Sequence, residues 1–159
     1  MKSKKEVVVI LHDVRSVHNV GSIFRTCDAV GVDMIYLTGY TPSPIDRFGR
    51  TRKDLVKVAL GAEKNIMWNV GGSVFDIISK LKKEGFVVAA IEQHNSSIDY
   101  KKYNAPEKIA LILGNEPEGI SHEIIKQCDV VLEIPMVGEK ESLNVSVAAG
   151  VVLYGLLEI

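Results

Sequence analysis

Three short segments of this chain gather the residue types that do chemistry. The last of them, Ile134-Pro-Met-Val-Gly-Glu-Lys-Glu-Ser142-Leu-Asn144-Val-Ser146-Val-Ala-Ala-Gly150, sets Ser142 and Asn144 at the head of a segment otherwise almost wholly apolar through Leu157. Polar groups at the mouth of a buried helix let a ligand meet backbone donors and side chains together. The first segment, Asn19-Val-Gly21-Ser-Ile23-Phe-Arg25, places Gly21 and Arg25 four apart on one helical face. An arginine there leans back over the glycine toward Asn19 and carries a guanidinium to the helix start. The middle segment, Leu113-Gly114-Asn115-Glu116-Pro117-Glu118-Gly119, has two glycines that allow close backbone approach or positive φ, and a proline that stiffens the turn.

Each segment has a plainer reading beside it. Arg25 has Asp28 three residues on, the spacing of a helical ion pair. Glu116 and Glu118 are an acid/base pair, or carboxylates placed near the helix opening at Ser121 for its dipole. Ser142 or Asn144 serves as a helix N-cap. The four histidines show no metal-ligand spacing, and there is no nucleophile elbow, Walker loop or dinucleotide fingerprint. No metal is expected.

The elements that position these segments follow from hydrophobic spacing. Glu6–Leu11 is a β-branched apolar run, a strand buried on both faces. A helix from about Asn19 carries Val20, Ile23, Phe24 and Cys27 at helical spacing and closes at Gly31. Asp33–Thr38 is a second strand, and Gly39 to Gly49, with Pro42 and Pro44, is a loop long enough to have a function. A helix over Arg52–Leu60, a short strand over Ile66–Val70, an amphipathic helix over Ser73–Lys83 and a strand over Phe86–Ile91 follow. Lys108–Leu113 is a buried strand, Ser121–Gln127 a short helix, Val130–Ile134 the final strand, and Leu143–Leu157 a core helix. Alternating strands and helices imply an α/β domain on a mostly parallel sheet, whose ligands bind beyond the carboxyl ends of the strands. All three unusual segments begin at such ends.

The 159 residues fit one domain, and 47% hydrophobic with 25% charged residues is the balance of a soluble globular protein. Cys27 and Cys128 form no metal or redox motif, so a reducing cytoplasm is the economical location. The charged start, Met1-Lys-Ser-Lys-Lys-Glu, leads into an apolar run too short for a secretory signal, and Leu143–Leu157 is too short to span a bilayer. The net charge of −1 argues mildly against a nucleic-acid partner. Yet Arg47, Arg50, Arg52, Lys53 and Lys57 concentrate positive charge in one stretch, either a solvated face or a phosphate-binding patch.

In combination, Asn19-x-Gly21-x-Ile23-x-Arg25, Leu113-Gly114-x-Glu116-x-x-Gly119, and Ile134-Pro-Met136 followed by Ser142-Leu-Asn144-Val-Ser146-Val-Ala-Ala-Gly150 resemble the three motifs of the SpoU (TrmH-like) branch of the SPOUT RNA methyltransferases. The likeness covers essentially the whole chain. It implies a SPOUT-type sheet with helices on both faces and a deep trefoil knot in the C-terminal third, an exception to the rule against threading. It also implies S-adenosyl-L-methionine as cofactor, an active site at a homodimer interface, and a 2′-O-methylated ribose as product.

By this resemblance the catalytic group is Arg25, with Asn19, Glu116, Ser142 and Asn144 orienting it, the ribose and the cofactor. Leu113, Gly114, Asn115, Gly119, Ile134, Pro135, Met136, Ser142 and Leu143 are expected to hold the cofactor. Arg47, Arg50, Arg52 and Lys53 are expected to contact RNA, with tRNA the first choice of substrate and ribosomal RNA the second. Relatives often carry an added RNA-binding domain or helical extensions. None is expected here, so that residues 1–159 form a single domain. The alternatives are a non-catalytic protein that keeps the cofactor fold, and a methyltransferase acting on a base.

Overall fold

The computed structural model describes residues 3–159; Met1 and Lys2 of the charged start lie outside the described residues. Seven strands, β1 (Glu6–His12), β2 (Met34–Thr38), β3 (Met67–Val70), β4 (Val87–Ile91), β5 (Ile98–Asp99), β6 (Lys108–Leu113) and β7 (Val130–Glu133), form one sheet in the order β3-β2-β1-β6-β4-β7-β5. Every neighbouring pair is parallel. The carboxyl ends therefore share one edge.

Side-chain alternation divides the core between the two faces. Val7, Val9 and Leu11 of β1, with Ile109, Leu111 and Leu113 of β6, pack under the helices α1 (Val17–Val30), α2 (Lys53–Ala59), α3 (Ala62–Asn65) and α6 (Val145–Leu157). Val8, Ile10, Ala110 and Ile112 face α4 (Val74–Lys83) and α5 (His122–Gln127) on the other side. The sheet is covered on both faces, which is why its central strands read as continuous apolar runs.

The helix limits follow from their caps. Ser16 accepts from Asn19 N at 3.2 Å and opens α1, and Gly31, at φ 77°, closes it. The helix expected over Arg52–Leu60 ends at Ala59, because Leu60 takes the left-handed conformation at φ 54°. Three features were not predicted: α3, only four residues long, the short edge strand β5, which pairs Ile98 with Leu132, and the 3-10 turn at Tyr100–Lys102 that follows it. The last helix begins at Val145, two residues after the apolar segment does, because Asn144 is its cap. It is not wholly buried either, since Val147 is 50% and Tyr154 42% exposed. Burial pushes the Cys27 thiol well up and the Cys128 thiol up to about 11, and neither forms a disulfide.

Candidate active site

The three predicted segments meet at the carboxyl edge of the sheet. The second and third line a cleft of about 290 Å³ beyond the ends of β4, β6 and β7, near the lower limit of roughly 300–1,000 Å³ for small-ligand pockets, and the first joins it through Asn19. Leu113, Gly114, Asn115 and Gly119 form one wall, and Ile134, Met136, Ser142 and Leu143 the other. Pro135, between Ile134 and Met136, is exposed and is not among the residues that line the cleft.

The wall at β6 is shaped by two glycines for different reasons. A Cβ on Gly114 would come within 2.9 Å of the Gly119 carbonyl oxygen and 2.7 Å of Ile120 Cγ1, so the turn closes only around a hydrogen. Gly119 adopts φ 69°, and a Cβ there would collide with the Glu92 carboxylate. Asn115 ties the turn together, its Oδ1 accepting from Glu118 N at 3.0 Å and its carbonyl from Gly119 N at 2.8 Å. Glu92 accepts from Ile120 N at 3.0 Å and braces the same loop. Sequence reasoning missed Glu92, whose one signal was its place just past the end of a predicted strand.

At the mouth, side chains from all three segments form one hydrogen-bonded chain. Asn144 Nδ2 donates to Asn19 Oδ1 at 3.2 Å, and Asn19 Nδ2 donates to Glu116 Oε1 at 3.0 Å. The chain has a fixed direction. An ionised Glu116 only accepts, so it sets the orientation of the Asn19 amide, which in turn demands a donor from Asn144. At the far end Asn144 Oδ1 accepts from Ser146 N at 2.9 Å, capping α6. Capping and site-building are thus both served by Asn144, through opposite ends of its amide.

Burial pushes the Glu116 carboxyl up. Hydrogen bonds from Asn19 and from backbone N–H groups, that of Arg15 among them, outweigh this and hold it below the ordinary carboxylate range. At neutral pH Glu116 is therefore a fixed acceptor rather than a poised general base.

Arg25 is not part of this chain. It is exposed and makes neither the ion pair with Asp28 nor a bond to Asn19; Asp28 instead accepts from Asn65 Nδ2 at 3.2 Å. Gly21 does not clear space for Arg25 either. It faces α2, where a Cβ would lie 2.8 Å from the Leu55 carbonyl oxygen and 2.9 Å from Val58 Cβ. Ser142 lines the cleft but makes no hydrogen bond among the described residues.

The basic stretch forms a compact loop closed by pairing of Ile45 with Thr51. Asp46 organises it, accepting from Phe48 N and Arg50 N at 2.9 Å each, and these bonds hold its carboxyl below the usual range. The guanidiniums of Arg47 and Arg50 lie 4.8 and 5.0 Å from the centre of the ring of Phe48, a residue 66% exposed. Arg52 turns inward to the Ser43 carbonyl at 3.2 Å, whereas Lys53 is exposed at the start of α2.

A doubly covered parallel sheet with a cleft at its carboxyl edge is the ligand-binding arrangement of an open α/β fold. Residues 6–154 match the SpoU rRNA Methylase family, and the chain belongs to that family. A TrmH family tRNA/rRNA methyltransferase homologue of Staphylococcus aureus is 35% identical over 159 residues, covering 97% of this chain. The chain spans only 61% of that relative's length. The fold is shared with an AdoMet-bound rRNA methyltransferase from Sinorhizobium meliloti (TM-score 0.87, 28% identity, 98% of this chain and 57% of that one). It is shared as well with a TrmH/SpoU tRNA modifying enzyme of A. aeolicus (TM-score 0.84, 29% identity, 98% of this chain and 75% of that one).

Proposed function

We propose that this protein transfers a methyl group from S-adenosyl-L-methionine to a ribose 2′-oxygen of RNA, with tRNA the first candidate and ribosomal RNA the second. The observation that carries the reading is the directed chain Asn144–Asn19–Glu116, which joins the three family motifs at the mouth of one cleft. The Sinorhizobium meliloti relative binds AdoMet, and the relatives act on tRNA or rRNA, which supports cofactor and substrate class alike.

The residues present fit the cofactor. Ile91, Leu113, Ile134 and Leu143 offer apolar surface for an adenine, and the glycines of the β6 loop let backbone approach it. Five carboxylates, Glu92, Glu116, Glu118, Glu133 and Glu141, line the cleft with no Lys, Arg or His among the lining residues. That field favours a cationic ligand and repels phosphate, so RNA must be held from outside it. When bound, the cofactor supplies a methyl on a sulfonium, whose leaving group departs as a neutral thioether.

The chain then has to align the ribose and stabilise a poorly acidic hydroxyl as it loses its proton. Arginine is a poor base, so Arg25 acts by holding the adjacent phosphate and stabilising the developing alkoxide. Standing exposed and unpaired, it is available to RNA or to a site shared with a second copy. Asn19, Glu116 and Asn144 hold the mouth rigid, and Ser142, unbonded on the cleft wall, is available to the ribose or to the methionine end of the cofactor. Arg47, Arg50 and Lys53 attract phosphates, and Phe48 with its two guanidiniums presents the π surface that unpaired bases stack on.

The exposed apolar face of α6, with Val147 and Tyr154, supports a C2 homodimer. Placement of β6 between β1 and β4, followed by β7 on the far side of β4, is the strand order that supports a C-terminal trefoil knot. We read residues 1–159 as a single methyltransferase domain. The test is methyl transfer from labelled cofactor to total RNA from a strain lacking the gene, followed by nucleoside mapping. A methylated base would refute the ribose assignment, and no cofactor binding at all would refute the enzyme.

A further inference from the structure

Beside the cleft, outside the three family motifs, a second constellation is built from Asp13, Arg15 and Tyr40. We propose that Tyr40 and Arg15 form a nucleotide-binding platform, stacking an unpaired RNA base on the Tyr40 ring and taking the neighbouring phosphate on the Arg15 guanidinium. The proposal rests on the RNA-methyltransferase reading and adds to it the surface that seats the substrate.

Tyr40 follows the end of β2, and the residue is 54% exposed, yet both of its ends are fixed. Its hydroxyl accepts from Asn115 Nδ2, and its backbone N–H donates to Asp13 Oδ1 at 3.1 Å. Asn115 Nδ2 also donates to the Asp13 carbonyl at 3.1 Å, which closes the triangle. Asp13 stands at φ 54°, in the left-handed region that few non-glycine residues adopt and that recurs at functional sites. Its carboxylate reaches Tyr40 only because Gly39, at φ 62°, has no Cβ to obstruct it. A tyrosine needed only for the fold would bury its ring. This one is held rigid and left open.

Arg15 supplies the charge. Its backbone N–H donates to Glu116 Oε2 at 3.4 Å, while its guanidinium lies 5.8 Å from the centre of the Tyr40 ring. The guanidinium makes no hydrogen bond or ion pair among the described residues. It is thus an unspent cation beside the Tyr40 ring, on a residue whose backbone is tied to Glu116 of the cleft wall. An aromatic face with an adjacent unpaired guanidinium is the chemistry that recognises unstacked bases and their phosphates. Asn115 and Glu116 line the cleft and bond to Tyr40 and Arg15 respectively, so a nucleotide on the platform lies next to the mouth.

The test measures methyl transfer and RNA binding in full-length Tyr40→Ala, Tyr40→Trp, Arg15→Ala and Arg15→Lys, using unfractionated tRNA and ribosomal RNA as probes, with cofactor affinity measured by calorimetry. Loss of one base stack corresponds to roughly five- to a hundredfold in affinity. Tyr40→Ala is expected to raise the RNA KM on that scale and leave cofactor Kd within about twofold, and Tyr40→Trp to restore most of the loss by keeping a stacking face. Arg15→Ala is expected to weaken RNA binding, and Arg15→Lys to recover only part, since a point charge lacks the planar fork. RNA KM unchanged in Tyr40→Ala and Arg15→Ala, with wild-type transfer intact, overturns the platform alone. Loss of cofactor affinity equal to the loss of RNA affinity also overturns it, because Tyr40 would then only brace Asn115. Should Tyr40→Ala fail to fold, wild-type KM in both Arg15→Ala and Tyr40→Leu, which fills space without a stacking ring, overturns the platform equally. Absence of cofactor binding and transfer in the wild type would instead sink the enzyme reading beneath it.

Discussion

Asn144 carries two separable duties, and three substitutions take them apart. Asn144→Ala removes the α6 cap, about 1 kcal/mol, and the bond to Asn19, about another 1 kcal/mol. For a domain of this size 1 kcal/mol moves Tm by about 2–4 °C, so the alanine variant should melt roughly 4–8 °C low. Asn144→Asp keeps an oxygen for Ser146 N but replaces the donor to Asn19 with an acceptor facing an acceptor. It should lose only the second contribution, about 2–4 °C, while cofactor affinity falls because the chain to Glu116 loses its direction. Asn144→Ser, a good cap too short to reach Asn19, should behave like the aspartate variant in Tm. Scanning calorimetry with and without S-adenosyl-L-methionine reads both effects. Equal Tm losses in the alanine and aspartate variants would show that the cap contributes nothing. An aspartate variant identical to wild type in Tm and cofactor affinity would break the link to Asn19.

Gly114→Ala should abolish the rise in Tm that the cofactor gives by mass action, because its Cβ meets the Gly119 carbonyl at 2.9 Å and forces the cleft wall to move; an undiminished rise would remove that wall from the site. Arg25→Ala should cut turnover by about a hundredfold or more with cofactor Kd unchanged, and lost cofactor binding with full methylation would contradict its role. Because the Glu116 carboxyl is held below its ordinary value, its contribution is fully present above the unfolded pKa and disappears as pH falls through the lower folded one. Cofactor binding should therefore stay flat from about pH 8 to about pH 5.5, where free carboxylates are already ionised, and a titration near neutrality that vanishes in Glu116→Gln would contradict this. Neutralising Arg47, Arg50 and Lys53 together should flatten the salt dependence of RNA binding by about 0.7–0.9 log units per lost phosphate contact; an unchanged slope would leave the loop without an RNA role.

The layered α/β architecture was legible because β1 and β6 are apolar at nearly every position, as strands covered on both faces must be. The convergence of the three segments was legible from the strand-end rule alone. Other features depend on contacts that no local pattern encodes. Gly21 looked like clearance for Arg25, but its absent side chain serves the crossing with α2, some thirty-four residues further along the chain. Nothing local marks Leu60 for the left-handed conformation that separates α2 from α3. A two-residue strand such as β5 has no periodicity to read. The direction of the Asn144–Asn19–Glu116 chain is likewise tertiary, since each amide takes its orientation from a partner about a hundred residues away.

The pairing of β1 with β6 at the middle of the sheet also dictates a schedule for biosynthesis. Val9 lies opposite Leu111, so β1 leaves the ribosome about a hundred residues ahead of β6, the second of its two neighbours. At about 5–20 residues per second, one edge of Val7-Val-Val-Ile-Leu11 waits unpaired for roughly 5–20 s, a β-branched, uncharged strand of the kind that templates aggregation. Only β2, synthesised early and parallel to it, can shield the other edge meanwhile. Nascent chains stalled before Lys108 should therefore be markedly more prone to aggregate, and more dependent on chaperones, than chains released a few residues beyond Leu113.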